Sequence, residues 1–405
     1  MLLRIAVRNV ARGWRRSLIV LLSIGVGLSG CLFVVAWSKG LVHQMADNAV
    51  KIQLAHMAVQ APGYRDNPDV RYNLPDYDAI AKTARSQAGV HASPRLRGEG
   101  LVQTARKSVL AVMIGVRPGD EAEVSVVPSS IVEGSFLRTG SGARRLPPVV
   151  IGVKMAGEMR AEIGDKLVLH VPGDAGLGAF RVSGLYRTAS SEFDGVAVFL
   201  RLRDAQRLFG VGDAATEVAI VLDDEKTVDA VQARLQEALG SGVEVLTWRE
   251  RARRLASMLD LMGDLSWIFY ATVFVAMAFG IANTMLMAVY ERLREFGVMR
   301  SLGLSRARLM MLIALESAAL TLAGTGIGLG TGFALVGWLG KRGIDLSMFS
   351  DALESYGIGT RVFLHAGWED ALTPLALALV TGVVAAVWPG VRAIRMRPAE
   401  ALRRA

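Results

Sequence analysis

The sequence predicts an α-helical membrane protein with four transmembrane helices and a large α+β domain inserted between helices one and two. Three observations predict it. Four long apolar windows run through a chain that is 52% hydrophobic, too apolar for an ordinary soluble protein of 405 residues. A stretch of mixed composition, residues 41–262, separates the first two windows. Arginine clusters flank the windows, so the net charge of +9 is placed as membrane topology requires and not as a basic groove for nucleic acid.

The elements follow in order. In residues 1–16, Leu3, Val7, Val10 and Trp14 fall on one helical face and Arg4, Arg8, Arg12 and Arg15 on another. That pattern predicts an amphipathic helix lying on the inner membrane surface. The first span, 17–40, contains Leu-Ser-Gly-Cys at 28–31, the kind of stretch that precedes lipid attachment in a lipoprotein signal peptide. The apolar run continues through Leu32, Phe33, Val34, Val35, Ala36 and Trp37, whereas a secretory signal ends its 7–15-residue apolar core there. Cys31 is therefore expected to be an uncleaved residue of a signal-anchor helix. As the only cysteine it forms no intrachain disulfide.

Spans two to four are expected at 263–290, 309–339 and 371–389, each near or beyond the ~20 residues that cross ~30 Å of hydrocarbon. Arginines concentrate before span one, in the segment 291–308 and in the tail 390–405. With four spans these segments share one side, which the positive-inside rule makes cytoplasmic, so both termini lie inside and residues 41–262 outside. A second outside loop covers 340–370.

The outside domain reads as α+β. Strand patterns appear at 57–60, 108–114, 149–151, 166–171, 195–200 and 217–222, and helical patterns at 76–87, 154–162 and 226–239. Strands separated by short helices predict two lobes, 41–100 plus 215–262, with 101–214 inserted.

The sequence contains no HExxH, GxSxG or phosphate-binding GxxxxGK[ST] motif, and its five histidines are scattered, so neither a catalytic constellation nor a metal site is predicted. Gly324, Gly328 and Gly332 recur at every fourth position of span three, the spacing that lets helices pack closely. Segment 290–317 is the most distinctive. Arginine and glutamate alternate around Phe296, Val298 and Met299, Gly303 can end a short helix, and Ser305 can cap the next. An amphipathic helix with an apolar ridge between two spans suits docking in a partner's groove. Glu316 and Asn283 lie within spans, where polar groups must face protein or water.

Met299-Arg-Ser-Leu-Gly-Leu-Ser305, preceded by Glu291-Arg-x-x-Glu-Phe-Gly297 and followed by Glu316, resembles the cytoplasmic loop of the FtsX/MacB-type ABC transporter permeases. The tail Arg397-Pro-Ala-Glu-Ala-Leu-Arg403 resembles the end of that family, whose architecture is the type VII or MacB-like one. Within the family, His56-Met-Ala-Val-Gln-Ala-Pro-Gly-Tyr64, Ile114-Gly-Val-Arg-Pro-Gly-Asp-Glu121, Ile131-Val-Glu-Gly-Ser-Phe-Leu137 and Val150-Ile-Gly-Val-Lys-Met-Ala156 are most similar to the lipoprotein-releasing permeases (LolC/LolE type).

The resemblance implies a non-catalytic subunit that holds no cofactor, with ATP and Mg bound by a separate ABC ATPase. MacB-type exporters usually carry that ATPase fused at the N-terminus, whereas here the first window opens at Leu18. It also implies mechanotransmission. ATPase closure moves a coupling segment of Glu291, Arg292, Arg294, Glu295, Phe296, Met299, Arg300, Leu302 and Gly303, and the spans carry that motion outward. Lipoprotein cargo needs an apolar path, expected at the outer ends of spans one and two: Leu32, Phe33, Val35, Ala36 and Leu41 with Met258, Leu261, Met262, Leu265 and Phe269, methionines suiting varied chains. The implied partners are a second permease copy or paralogue, a periplasmic lipoprotein carrier and membrane lipids, in a bacterial inner membrane. Rival implications are MacB-like export of a peptide, toxin or drug, and FtsX-like signalling to a cell-wall hydrolase.

Overall fold

The computed structural model of the chain describes residues 14–138, 146–171, 176–349, 353 and 357–395. The expected amphipathic face of Leu3, Val7 and Val10 and the tail motif 397–403 lie outside the described residues. Two compact units form. One comprises residues 1–42, 259–345 and 361–405; the other comprises 43–258 and 346–360.

The first unit is helical. Four segments are long and apolar enough to cross a membrane: Ser17–Leu54, Arg253–Glu291, Arg306–Arg342 and Trp368–Ile394. They are built on helices α1 (Trp14–Ala49), α9 (Arg253–Glu291), α11 (Arg306–Arg342) and α12 (Leu372–Arg395), with the short α10 (Leu293–Ser301) between α9 and α11. Each long helix outruns the apolar window that announces it, because its polar end turns need no hydrocarbon to keep their i→i−4 bonds. A core of Val20, Ile24, Leu28, Phe274, Met277, Ile281, Leu309, Ile313 and Ala385 joins all four. Two short strands, β11 (Ile344–Asp345) and β12 (Arg361–Val362), pair antiparallel. The segment 346–360 between them belongs to the second unit, so the stretch 340–370, expected as one loop, is divided.

The second unit is a mixed sheet with short helices. In chain order it runs β1 (Met57–Gln60), α2 (Tyr77–Arg85), β2 (Val90–Gln103), β3 (Ser108–Val116), α3 (Pro118–Val124), β4 (Ile131–Gly134), β5 (Pro148–Gly152) and α4 (Val153–Met159). There follow β6 (Lys166–His170), β7 (Leu177–Tyr186), α5 (Ser191–Val196), β8 (Ala197–Arg201), α6 (Leu202–Phe209), β9 (Glu217–Leu222), α7 (Val228–Leu239), β10 (Glu244–Thr247) and α8 (Trp248–Arg251). The strand order is β10-β1-β9-β2-β3-β8-β5-β7-β4, and β6 pairs with both β2 and β7. The β6 pairings close β2, β3, β8, β5, β7 and β6 into a ring, which removes their free edges. Among the described residues only β3/β8 and β5/β7 are parallel.

The two expected lobes are thereby corrected. Their boundary at residue 101 falls inside β2, a 14-residue strand whose residues 90–95 pair with β9 and 95–103 with β3. One sheet and one apolar core, from Met57 and Val218 to Leu169 and Val198, run through both. A second core, rich in rings, gathers Tyr186, Phe193 and Phe199 in edge-on and tilted contacts with Val150 and Leu137 in the same cluster.

Candidate functional site: the α10 connection, the helix contacts and a buried ion cluster

Helix α10 is amphipathic, but its faces are exchanged relative to expectation. Phe296 is only 4% exposed and packs with Val289, Leu309, Ile313 and Ala393, with Met299 half-buried against the same cluster. The ring is turned inward and Met299 is exposed only in part, and this corrects the predicted apolar ridge. The reason is that two charged neighbours find partners inside. The Arg292 Nη1 donates to both Glu316 carboxylate oxygens at 3.1 and 3.2 Å and its guanidinium lies over the Phe296 ring. Arg300 Nη1 donates to the Ile394 carbonyl at 3.0 Å, tying the far end of α10 to the last turn of α12.

The outward face holds Glu291, Arg294, Glu295, Val298 and Leu302, the last 82% exposed. Gly303 at φ +96° ends the helix in a conformation that favours glycine, and Ser305 Oγ caps α11 by accepting from Arg308 N. An exposed leucine and valine flanked by opposite charges form a small docking face, set on a base held by Arg292 and Arg300.

In the helical unit, α11 lies against α1 through its small residues. A Cβ built on Gly324 would stand 2.8 Å from Ile24 Cβ, on Gly328 2.8 Å from Leu28 Cβ, and on Gly332 3.1 Å from Leu32 Cδ2. The first two separations leave no room for a side chain and the third is tight, so the helices approach closely at three successive turns. Ser29 Oγ crosses the same contact, bonding the Gly328 carbonyl at 2.9 Å and Thr331 Oγ1 at 2.7 Å.

This packing also corrects the expected cargo path. Leu32, Val35 and Ala36 are buried among the chain's own helices, Phe33 packs at the edge of the same cluster, and Leu41 is half-buried. On α9, Leu261, Leu265 and Phe269 are exposed and Met262 is half-buried. Met258, in the sheet unit, is exposed as well. Asn283 lines a 410 Å³ cavity with Ser23, Gly27, Met277 and Thr284.

Sequence reasoning missed a third feature entirely, within the sheet unit. After α1 the chain makes one π-helical turn, Val50–Leu54, closed by Ala55 N donating to the Val50 carbonyl at 2.9 Å. A helix end leaves its last carbonyls without intrahelical donors. Here every one is supplied. Val126 N donates to Lys51 O at 3.1 Å, Ser125 Oγ to Ile52 O at 3.3 Å, Arg95 Nη1 to Gln53 O at 2.8 Å and Arg251 Nη1 to Leu54 O at 2.6 Å.

The two arginines are buried and paired. Arg95 makes a two-pronged bond to the fully buried Glu121, at 2.7 and 3.0 Å, and Ser93 Oγ donates to the same carboxylate. Arg251 pairs with Glu217, which also accepts from Gln60 Nε2 at 3.0 Å. The other Glu217 oxygen has Arg97 at 3.7 Å and Arg95 at 3.9 Å. Burial alone would raise the Glu217 carboxyl. Arg251, Arg97 and Arg95 outweigh it and hold the group below the usual carboxylate range. Among the described residues no group of three or more His, Cys, Asp or Glu could hold a metal ion.

Four helices long and apolar enough to cross a membrane, a short helix held in one connection and a mixed-sheet unit give the architecture of a polytopic membrane protein. Residues 17–238 match the family model described as the MacB-like periplasmic core domain, and residues 267–398 match the FtsX-like permease C-terminal model. The chain belongs to the LolC/MacB/FtsX family of ABC transporter permeases. It is 25% identical to the lipoprotein-releasing system transmembrane protein LolC of Neisseria meningitidis serogroup B, over 96% of this chain and 94% of that protein. It is 22% identical to the macrolide export ATP-binding/permease protein MacB of Chlorobium luteolum, over 96% of this chain and 58% of that protein. The crystal structure of the periplasmic region of MacB from Actinobacillus actinomycetemcomitans aligns with a TM-score of 0.37 at 14% identity, over 52% of this chain and 97% of that one.

Proposed function

We propose that this chain is the transmembrane subunit of an ABC transporter that extracts lipoproteins from the outer leaflet of a bacterial inner membrane, driven by ATP hydrolysis on a separate subunit that binds the nucleotide and Mg. The observation that carries this reading is collinearity: the similarity to LolC extends over almost the whole of both chains. The positive-inside rule then puts both termini and α10 in the cytoplasm, and the sheet unit, inserted between the first two spans, in the periplasm. In this reading the ATPase grips the outward face of α10, Val298 and Leu302 with Arg294 and Glu295. Because Arg292 and Arg300 tie α10 to α11 and α12, a push on that face reaches the spans instead of bending the loop.

The energetic problem sets what the spans must do. Each acyl CH₂ leaving the bilayer costs about 0.8 kcal/mol, so three chains of roughly fifteen such groups cost on the order of 30–40 kcal/mol if bared to water. The path has to stay apolar throughout. The exposed outer part of α9, with Leu261, Leu265 and Phe269, supplies one wall, and a second copy or a paralogue supplies the other. A periplasmic carrier receives the cargo.

The match to the MacB-like core model and to a macrolide exporter supports a second reading, export of a small molecule or peptide from the periplasm. Depletion of the protein followed by membrane fractionation separates the two. Retention of lipoproteins in the inner membrane is expected; unchanged sorting with a lost export phenotype would replace the first reading by the second.

A further inference from the structure

The sheet unit holds its two helix connections through one cluster. The π-helical turn that follows α1 hangs by its last two carbonyls on Arg95 and Arg251. Arg251 is itself the last residue of α8, two residues before α9 begins. Helix α8 is fixed at its start, where Thr247 and Glu250 cap each other's backbone amides and Trp248 N donates to the His56 carbonyl. Arg95 sits on β2, the strand shared by the ring and the rest of the sheet, and Glu217 begins β9 beside it. Four buried charged side chains thus gather the exit from α1, the entry to α9 and the centre of the sheet.

Such an arrangement is costly unless it does something. Replacing a buried ion network with packed apolar residues is often neutral or stabilising, so its retention is a weak argument for stability. What apolar packing cannot do is bond two specified carbonyls in one orientation. Gln53 O and Leu54 O each receive one guanidinium N–H, and each guanidinium is oriented by a carboxylate. The geometry fixes direction as well as position.

We propose that Arg95 and Arg251, oriented by Glu121 and Glu217, form a coupling latch that makes the end of α1 and the start of α9 move together with the sheet. These are positioning residues for the ATP-driven cycle; none of them touches nucleotide or cargo. The inference rests on the permease function proposed above, in which work passes from helices to sheet.

The test uses the full chain in complex with its ATPase in lipid nanodiscs, with ATP and vanadate as the only probes. Amide hydrogen exchange is read at residues 50–58, at 245–256 and across β5 and β8. In the wild type, adding ATP and vanadate is expected to change exchange at both helix connections and in the sheet together. In Arg251→Met the response is expected to persist at the connections and to fall about tenfold in the sheet, while ATP hydrolysis stays close to the wild-type rate. Arg251→Lys, which keeps a donor for Leu54 O, restores most of the sheet response. Glu217→Gln is the second variant, kept because it preserves shape should Arg251→Met fold poorly.

A sheet response equal to the wild type's in both Arg251→Met and Glu217→Gln would overturn the latch. So would exchange raised uniformly over the sheet before nucleotide is added, which marks a residue that merely holds the fold. Lipoprotein sorting plays no part in this readout. If the cargo assignment fails while the sheet response depends on Arg251, the latch stands and the cargo reading falls.

Discussion

Helix α10 and the turn Val50–Leu54 are both short helical pieces held by two arginines, and they are held differently. At α10, Arg292 and Arg300 reach Glu316 and the Ile394 carbonyl from partly exposed positions, and a face from Arg294 to Leu302 is exposed. At the turn, all five carbonyls are occupied, and Arg95 and Arg251 are enclosed with Glu121 and Glu217. The first pattern fixes a base and leaves a surface to be gripped. The second engages every carbonyl of the turn, which suits a joint through which force passes. The Arg292 and Glu316 side chains are 18% and 9% exposed against 7% and 0% for Arg251 and Glu217, and removing one partner of a fully buried pair costs about 3–5 kcal/mol, so the second joint should fail at the larger cost.

The sharpest way to break the comparison is therefore at the turn. Glu217→Ala leaves Arg251 buried without its carboxylate, and a loss of about 3–5 kcal/mol is expected in denaturant unfolding of the detergent-solubilised chain. Glu316→Ala, at the half-open joint, should cost about 1–3 kcal/mol by the same measurement. Equal losses would mean that the joints do not differ in kind.

Within α10 the contrast is between its faces. Phe296→Ala empties a packed site and is expected to cost about 3 kcal/mol. Leu302→Ala should stay within about 0.5 kcal/mol of the parent in stability, yet reduce recovery of the ATPase on affinity purification. A Phe296 variant that is stable but loses the ATPase would reverse the assignment of the two faces.

Gly328→Ala and Gly330→Ala form a matched pair on α11. A methyl group at 328 meets Leu28 and the Gly25 carbonyl, whereas nothing lies within 4 Å at 330. About 1–3 kcal/mol is expected from the first and little from the second, read as thermal unfolding in detergent.

The smallest effect is the most specific to the cluster. The Glu217 carboxyl is held below its ordinary value of 4.5, so the stability it contributes is complete above that pH and lost as pH falls through its lower folded value. As pH falls below 4.5 the wild type should lose more stability than Glu217→Gln, which has no proton to take up there. Parallel pH profiles would remove Glu217 from the account.

How much of this was legible in the sequence depends on where each partner comes from. The long helices could be read because their apolar windows are local and continuous. Strands β1, β3 and β9 could be read for the same reason. Strand β2 could not: Val-His-Ala-Ser-Pro-Arg-Leu-Arg-Gly-Glu-Gly carries a proline, two arginines, a glutamate and two glycines, the composition of a loop. It is a strand because Glu121 and Glu217 neutralise Arg95 inside the fold, and both come from distant parts of the chain.

At α10 the alternation of charged and apolar residues was visible, but not which face turns inward. Arg292 and Arg300 tip that choice, and their partners Glu316 and Ile394 lie 24 and 94 residues away. The small residues of α11 were legible because a backbone approach leaves its mark in composition. Leu32 and Ala36 look as suited to a lipid path as to a helix contact until Leu364 and Val336 are seen packed with them. Apolar character alone does not say which neighbour an apolar residue meets.

In the proposed function this chain passes the work of a separate ATPase to a lipid-anchored client. The measurement that tests it most directly is release of fluorescently labelled lipoprotein from proteoliposomes containing the chain, its permease partner and the ATPase. The account predicts that soluble, carrier-bound lipoprotein accumulates only with ATP and Mg, and that Arg251→Met hydrolyses ATP while releasing little. Release that proceeds equally without ATP, or wild-type hydrolysis that never frees lipoprotein, would contradict it.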